Sequence, residues 1–352
     1  MTTNSFLQKL GIDVPIILAP MAGGPSTPQL VAAVSNAGGL GSLGSAYSTP
    51  EQITEEIRRI RELTKRPFAV NLFAVKYGEL PDVDPQPMLE LLAEVHRELG
   101  IDPPTLPPAP QNPFAKQFEV VLAARPAVFS FTFGMPSKDD LQRARSAGIL
   151  LIGTATTPDE AQVLADAGVD AIVAQGAEAG SHRSTFIASF ECSMVPTLDL
   201  VRTIARAVSV PVIASGGLMD GRDVAAALRA GASAVALGTA FLACPESGAS
   251  EPYKRAILSA KQDTTVMTRA YSGRPARGLK NKWIEKLNER RDLILPFPLQ
   301  NALTRAMRTA AAKADNADYL SLWAGQGVTR ARAMPAGELV RVLMQEAKAA
   351  AA

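Results

Sequence analysis

The side chains best suited to chemistry are concentrated in Ala174-Gln-Gly-Ala-Glu-Ala-Gly-Ser-His-Arg183, which offers an amide, two glycines and a histidine in one short stretch. Imidazole exchanges a proton near neutral pH, so His182 can serve as a base or as a charged hydrogen-bond donor. It is one of two histidines in the chain; the other, His96, lies in the charged helical pattern Glu94-Val-His-Arg-Glu98. The apolar residues 171–174 read as a short strand buried on both faces, as parallel strands are when helices cover them. His182 is therefore expected on a loop at that strand's C-terminal edge, where α/β folds bind ligands.

Two glycine-bearing turns suggest an anion site. Ser215-Gly-Gly217 and Leu237-Gly-Thr239 each follow an apolar run and carry no acidic side chain at the turn. Backbone N–H groups in such loops commonly hold phosphate. A further turn, Ala19-Pro-Met-Ala-Gly-Gly24, lets backbone approach a flat ligand through Met21, Ala22 and Gly23. With Gln175 and the glycines after the first strand available for a ring system, the phosphate is read as the tail of FMN, while Asn71, an amide at a strand end, reads by itself as a cap or turn residue. The pattern Gly39-Leu-Gly-Ser-Leu-Gly44 matches a dinucleotide fingerprint, but its middle residues read as a strand that a helix precedes. The fingerprint needs strand, glycines, then helix, so these glycines are taken as punctuation.

The elements that must carry these residues alternate strand and helix along the chain, which predicts a parallel sheet wound with helices. Strands are expected at 16–19, 40–43, 68–72, 128–131, 150–152, 171–174, 212–214 and 234–237. Eight parallel strands imply a closed (β/α)8 barrel of the TIM type. Helices are expected over 27–36 and 137–147, and others open at Thr49-Pro50 and Thr157-Pro158, with threonine as N-cap and proline at the first helical position. Residues 77–112, with two Pro-Pro pairs, read as an excursion holding one helix at 87–99. Residues 245–318 are expected to form an inserted, mainly helical cap, leaving 1–244 and 319–352 to the barrel. The last segment is expected to return a helix to the barrel wall.

Composition narrows the function. A formal charge of +2 and few aromatic residues give no nucleic-acid surface. The most basic run, Arg274 to Arg291, is interrupted by Glu285 and Glu289 and reads as a solvated amphipathic helix. Cys192 and Cys244 make neither a disulfide framework nor a metal site, which suits a reducing cytoplasm, and neither has the setting of a nucleophile. The start, Met-Thr-Thr-Asn-Ser, lacks the features of a signal peptide, and no apolar run approaches the roughly 20 residues of a spanning helix. A cytoplasmic, membrane-free enzyme with no metal is the expectation.

The sequence also resembles the class I nitronate monooxygenases, formerly 2-nitropropane dioxygenases, nearly end to end. The resemblance rests on Pro15-Ile-Ile-Leu-Ala-Pro-Met-Ala-Gly-Gly24, Ser35-Asn-Ala-Gly-Gly-Leu-Gly41, Phe68-Ala-Val-Asn-Leu-Phe73, Gln175-Gly-Ala-Glu-Ala-Gly-Ser-His182, Ser215-Gly-Gly217, Leu237-Gly-Thr-Ala240 and Tyr271-Ser-Gly-Arg-Pro-Ala-Arg277. It implies an FMN-filled barrel with His182 at the catalytic position. Asn71, Gln175, Gly180, Gly216, Gly217, Leu237, Gly238 and Thr239 would surround the flavin, and Tyr253 would line the substrate pocket from the cap. Thr132 stands where relatives often carry a second histidine, aromatic hydroxyls are missing from Pro296-Phe-Pro-Leu299, and Ser181 replaces a glycine. A substrate pocket less polar than the pattern follows.

The reaction so implied takes an alkyl nitronate, propionate 3-nitronate for example, and O2 to a carbonyl compound and nitrite through a flavin semiquinone. Protonated His182 is expected to offset the substrate's charge. Two alternatives stand beside it: an FMN-dependent NAD(P)H reductase of the enoyl-thioester or quinone type on the same barrel, and a flavin-binding protein with no turnover.

Overall fold

The computed structural model describes residues 5–75, 83–108 and 111–351. The first residues of the chain and part of the 77–112 excursion lie outside the described residues. Eight parallel strands form one sheet: β1 Ile16–Leu18, β2 Gly41–Gly44, β3 Phe68–Phe73, β4 Val128–Thr132, β5 Leu150–Ala155, β6 Ala171–Gln175, β8 Val212–Ser215 and β9 Ala234–Leu237. A two-residue strand, β7 Ser181–His182, intervenes in the chain but belongs to a different sheet. The order β1-β9-β8-β6-β5-β4-β3-β2 is closed by hydrogen bonds from Leu40 N to Ile16 O and from Leu18 N to Leu40 O, each 2.9 Å. The molecule is a (β/α)8 barrel with additional helices forming a cap.

The expected helix openings hold, and the capping geometry supplies the reason. Thr27 accepts from Leu30 N, Thr49 forms a capping box with Gln52, and Thr157 accepts from Glu160 N. Each such cap is worth about 1 kcal/mol because it satisfies donors that the first helical turn leaves free. Proline at the first position loses no hydrogen bond there. The glycines at 39–44 serve packing: a Cβ on Gly41 would lie 2.1 Å from Val31 O, so helix Pro28–Asn36 could not seat on β2. Helix Ala336–Ala351 returns to the barrel wall, with Gly221 N donating to Glu346 Oε2 at 2.9 Å.

The cap differs from the mainly helical expectation in one respect that matters. Strands β10 Thr265–Thr268 and β11 Ala276–Leu279 form an antiparallel hairpin, and β11 pairs in turn with β7. The run from Arg274 to Arg291 is therefore not one solvated helix. It holds β11 and then helix Lys282–Asn288. Charge counting mistook Arg277 for a surface residue, whereas it is buried and donates through Nε and Nη2 to Ala177 O at 3.2 and 3.0 Å. Helix Gln86–Glu98 of the excursion packs Met88, Leu92 and Val95 against Trp283 and Leu287 of the cap, in an apolar cluster separate from the barrel core.

Candidate active site

His182 sits on β7, where it pairs with Ala276 of β11. Its backbone is clamped by one side chain: Gln175 Nε2 donates to His182 O at 3.0 Å while Gln175 Oε1 accepts from Ser184 N at 3.0 Å. Where a loop was expected after the 171–174 strand, His182 lies on this short paired strand and is 8 % exposed. Phe133 and Trp323 pack against the ring at 5.9 and 5.3 Å between centroids. Behind it, buried Arg183 donates to Gly176 O at 2.6 Å, to Ser193 O at 2.7 Å and to Gln175 O at 3.0 Å. Burial pushes that guanidinium down to about 10, with the Arg277 charge adding to the effect, so it stays ionised at neutral pH.

The imidazole's second contact fixes its chemistry. His182 Nε2 lies 2.8 Å from Ser272 Oγ, which also contacts Arg274 O at 3.1 Å and accepts from Arg274 N at 3.2 Å. Serine has one proton and two lone pairs. With its proton on Arg274 O and one lone pair used by Arg274 N, the remaining lone pair accepts Nε2–H. Nδ1 is then the unprotonated nitrogen, with Ser181 Oγ at 3.4 Å. Burial, followed by the charges of Arg274 and Arg308, drives the imidazole pKa down to about 3. The expectation of protonated His182 is thereby corrected: desolvation and two nearby cations favour the neutral ring.

A cavity of about 720 Å³ opens at the C-terminal ends of the barrel strands. Every residue singled out from sequence lies on its wall: Met21, Ala22 and Gly23 after β1, Asn71 of β3, Thr132 of β4, and Gln175, Gly180 and His182 around β6 and β7. Gly216 and Gly217 after β8, Leu237, Gly238 and Thr239 at the end of β9, and Tyr253 from the cap complete the set. Gly217 has φ +68, and a Cβ there would meet Glu178 Cβ at 2.8 Å, so this turn needs glycine and presents main chain to the cavity. Gly180 lies so close to the 324–325 backbone that a Cβ would meet it at 2.6 Å.

These walls fit a flat ring with a phosphate tail. The barrel end supplies small side chains, Asn71 donates to Ser130 Oγ at 2.9 Å, and Thr132 Oγ1 is buried with no hydrogen-bond partner on a wall of the cavity. A buried hydroxyl without a partner is costly, and a ligand heteroatom would remove that cost. Tyr253 directs its hydroxyl into Trp323 O at 2.5 Å, so toward the cavity its oxygen can only accept.

Several participants were not anticipated from sequence. Trp323 and Ser272 touch His182, Arg274 stacks 4.1 Å over Phe133, and Arg305, Arg308 and Lys313 reach the cavity from one cap helix. Buried Glu160 accepts from Thr156 N and Oγ1 and from the amides of Phe186, Ile187 and Ala188, pinning the loop after His182. Cys244 is buried, with its thiol pushed up to about 12 by burial, and so is inert as a nucleophile. Among the described residues no metal-binding cluster and no helix long and apolar enough to cross a membrane occurs.

The nitronate monooxygenase family model matches residues 4–346. The chain belongs to the nitronate monooxygenase family. It is 43% identical over 351 residues to the nitronate monooxygenase of Pseudomonas aeruginosa, covering 98% of this chain and 99% of that one. The probable nitronate monooxygenase of Bacillus subtilis is 41% identical over 329 residues, covering 92% and 93%. Among solved structures, the nitroalkane oxidase of Streptomyces ansochromogenes superposes with a TM-score of 0.90 at 42% identity, covering 97% and 98%. FabK of Thermotoga maritima is more distant, with a TM-score of 0.78 at 28% identity over 99% and 97%. This member of the nitronate monooxygenase family is thus an enzyme, an oxidoreductase on the barrel that the family's flavoproteins share.

Proposed function

We propose that the chain oxidises alkyl nitronates with O2 to a carbonyl compound and nitrite, using FMN held at the barrel mouth. The observation that carries this reading is a cavity that neutral His182 shares with Arg305, Arg308 and Lys313 and that has, among the described lining residues, no carboxylate. Such a site receives an anion and sets a neutral hydrogen-bonding ring beside it. Gly216, Gly217, Gly238 and Thr239 would hold the phosphate through main-chain N–H groups. Met21 to Gly23, Asn71, Gln175, Gly180 and Leu237 would surround the ring. When bound, FMN supplies the electron-accepting ring that oxidises the anion.

The protein's own groups do the rest. Residues 245–318 act as the substrate cap, bringing Tyr253 and the cationic helix over the cavity. Phe133 and Trp323 exclude water from the imidazole and hold its plane. A nitronate has already lost its α-proton, so His182 need only orient it. A neutral nitroalkane would first have to lose that proton to Nδ1, and an imidazole held at about 3 is a weak base, so the nitronate is the favoured substrate. The unpaired thiols of Cys192 and Cys244 accord with a cytoplasmic setting.

Replacing His182 with Asn tests the assignment. Nitronate kcat/KM is expected to fall by about 10²-fold, the loss expected when a group that positions the reacting anion is removed, with FMN still bound. Undiminished turnover by the FMN-loaded variant contradicts it. Reduction by NADH or NADPH, the mark of the reductase alternative on the same barrel, is the competing outcome to measure alongside.

A further inference from the structure

We infer that Arg308 is the counter-charge for the anion in this cavity, a substrate-binding residue of the reaction proposed above, on which the inference rests. Helix Arg305–Lys313 turns Arg305, Arg308, Thr309 and Ala312 to the cavity at spacings of three and four, one face of the helix, with Lys313 at its end. Arg305 and Lys313 are exposed, whereas Arg308 is recessed. Its hydrogen bonds go to neutral oxygens: Nη2 to Asn301 O at 2.8 Å and Asn301 Oδ1 at 2.9 Å, and Nε to Thr304 O at 3.3 Å. No aspartate or glutamate lines the cavity among the described residues.

A guanidinium partly withdrawn from water, with only neutral oxygens as partners and no carboxylate on the cavity wall, keeps its charge uncompensated and is stabilised by an anion that enters. His182, neutral and tied to Ser272, does not supply the positive charge a nitronate needs. The planar fork of arginine matches the planar O–N–O head of a nitronate, as it matches carboxylate. Arg305 and Lys313, in solvent, would steer anions inward in a salt-dependent way without fixing them. A neutral nitroalkane gains nothing from this arrangement, so the cavity prefers the conjugate base.

The other anion that could claim Arg308 is the cofactor's own phosphate. The glycine turns suited to phosphate follow β8 and β9, whereas the Arg308 charge is felt by His182, Tyr47 and Tyr271. The substrate side is therefore the better match.

Nitrate, a planar and unreactive monoanion, is the probe. It is titrated into FMN-loaded wild type, Arg308→Lys and Arg308→Gln while flavin absorbance is followed, and FMN affinity of each apoprotein is measured by fluorescence quenching. Arg308→Gln is expected to weaken nitrate by about tenfold or more and Arg308→Lys by less, with FMN affinity kept within about twofold. Equal nitrate affinity in all three, no nitrate binding to wild type, or loss of FMN with nitrate affinity retained would overturn the assignment. If Arg308→Gln does not fold, Arg308→Lys decides: about threefold weakening supports the role and none contradicts it. Wild-type nitronate turnover, run in parallel, separates failure of the proposed reaction from failure of the anion site.

Discussion

His182 and Ser272 are 90 residues apart in sequence, yet Nε2 and Oγ meet at 2.8 Å because β7 of the barrel loop pairs with β11 of the cap. One hydrogen bond thus joins the two parts of the fold at the catalytic candidate. It also selects the tautomer, since Arg274 O and Arg274 N occupy the rest of the serine's hydrogen-bonding capacity.

Ser272→Ala should release the ring from that tautomer while leaving the cavity walls in place. We expect kcat with nitronate to fall about tenfold with KM changed little, and any turnover of neutral nitroalkane, which needs Nδ1 as base, to fall further. Steady-state kinetics on both substrates check this. Equal losses on the two substrates would mean that Ser272 serves only packing.

Acid should destabilise the protein through His182. Its pKa is lowered from 6.5 in the free group to about 3 in the fold, so between those values the unfolded chain binds a proton that the native ring does not. Stability from this site is fully present above about 6.5 and is lost as pH falls toward 3. By pH 5 the loss is about 2 kcal/mol, an order-of-magnitude figure. Urea denaturation at pH 7 and pH 5 should show a smaller acid penalty for His182→Gln than for wild type.

Ser181 precedes the catalytic candidate with φ +64, in the left-handed region that disfavours a Cβ. Ser181→Gly relieves about 1–2 kcal/mol of backbone strain and gives back part of it as chain entropy. A net gain of about 0.5–1 kcal/mol, seen as a Tm rise of about 1–3 °C by calorimetry, is expected. A fall in Tm would show that the serine hydroxyl contributes more than its backbone costs.

Arg183→Met keeps much of the side-chain volume but leaves the carbonyls of Gln175, Gly176 and Ser193 without their buried donor. Losing such a network costs about 3–5 kcal/mol. The loop that carries Gly180 and His182 should loosen, and FMN affinity should fall with stability. Denaturation with and without FMN measures both; an unchanged FMN affinity would mean that Gln175, Glu160 and the β7–β11 pairing hold the loop without Arg183.

The barrel strands were legible because both faces of each are buried, one against helices and the other in the barrel interior, so every one is a short apolar run ended by a turn signal. The Thr-Pro helix openings at 49 and 157 and the presence of turns after β8 and β9 were marked by local residues. What escaped depended on contacts distant in sequence. A strand of two residues has no periodicity, so β7 was taken for loop and its pairing with Ala276 and Arg277 could not be foreseen. Arg277 was read as part of a solvated helix and Arg308 was not singled out, because nothing local reveals that carbonyls or a cavity await them. Glu160 lies in the first turn of helix Pro158–Asp166, where an acidic residue already has a reason to sit, so its grip on 186–188 was hidden.

The central claim is that this cavity oxidises a nitronate with FMN. The most direct test is anaerobic mixing of the FMN-loaded protein with ethyl nitronate and, separately, with NADH, while the visible flavin spectrum is followed. The account predicts that the flavin bands change on mixing with the nitronate and stay unchanged with NADH. Bleaching by NADH with silence toward the nitronate would contradict it.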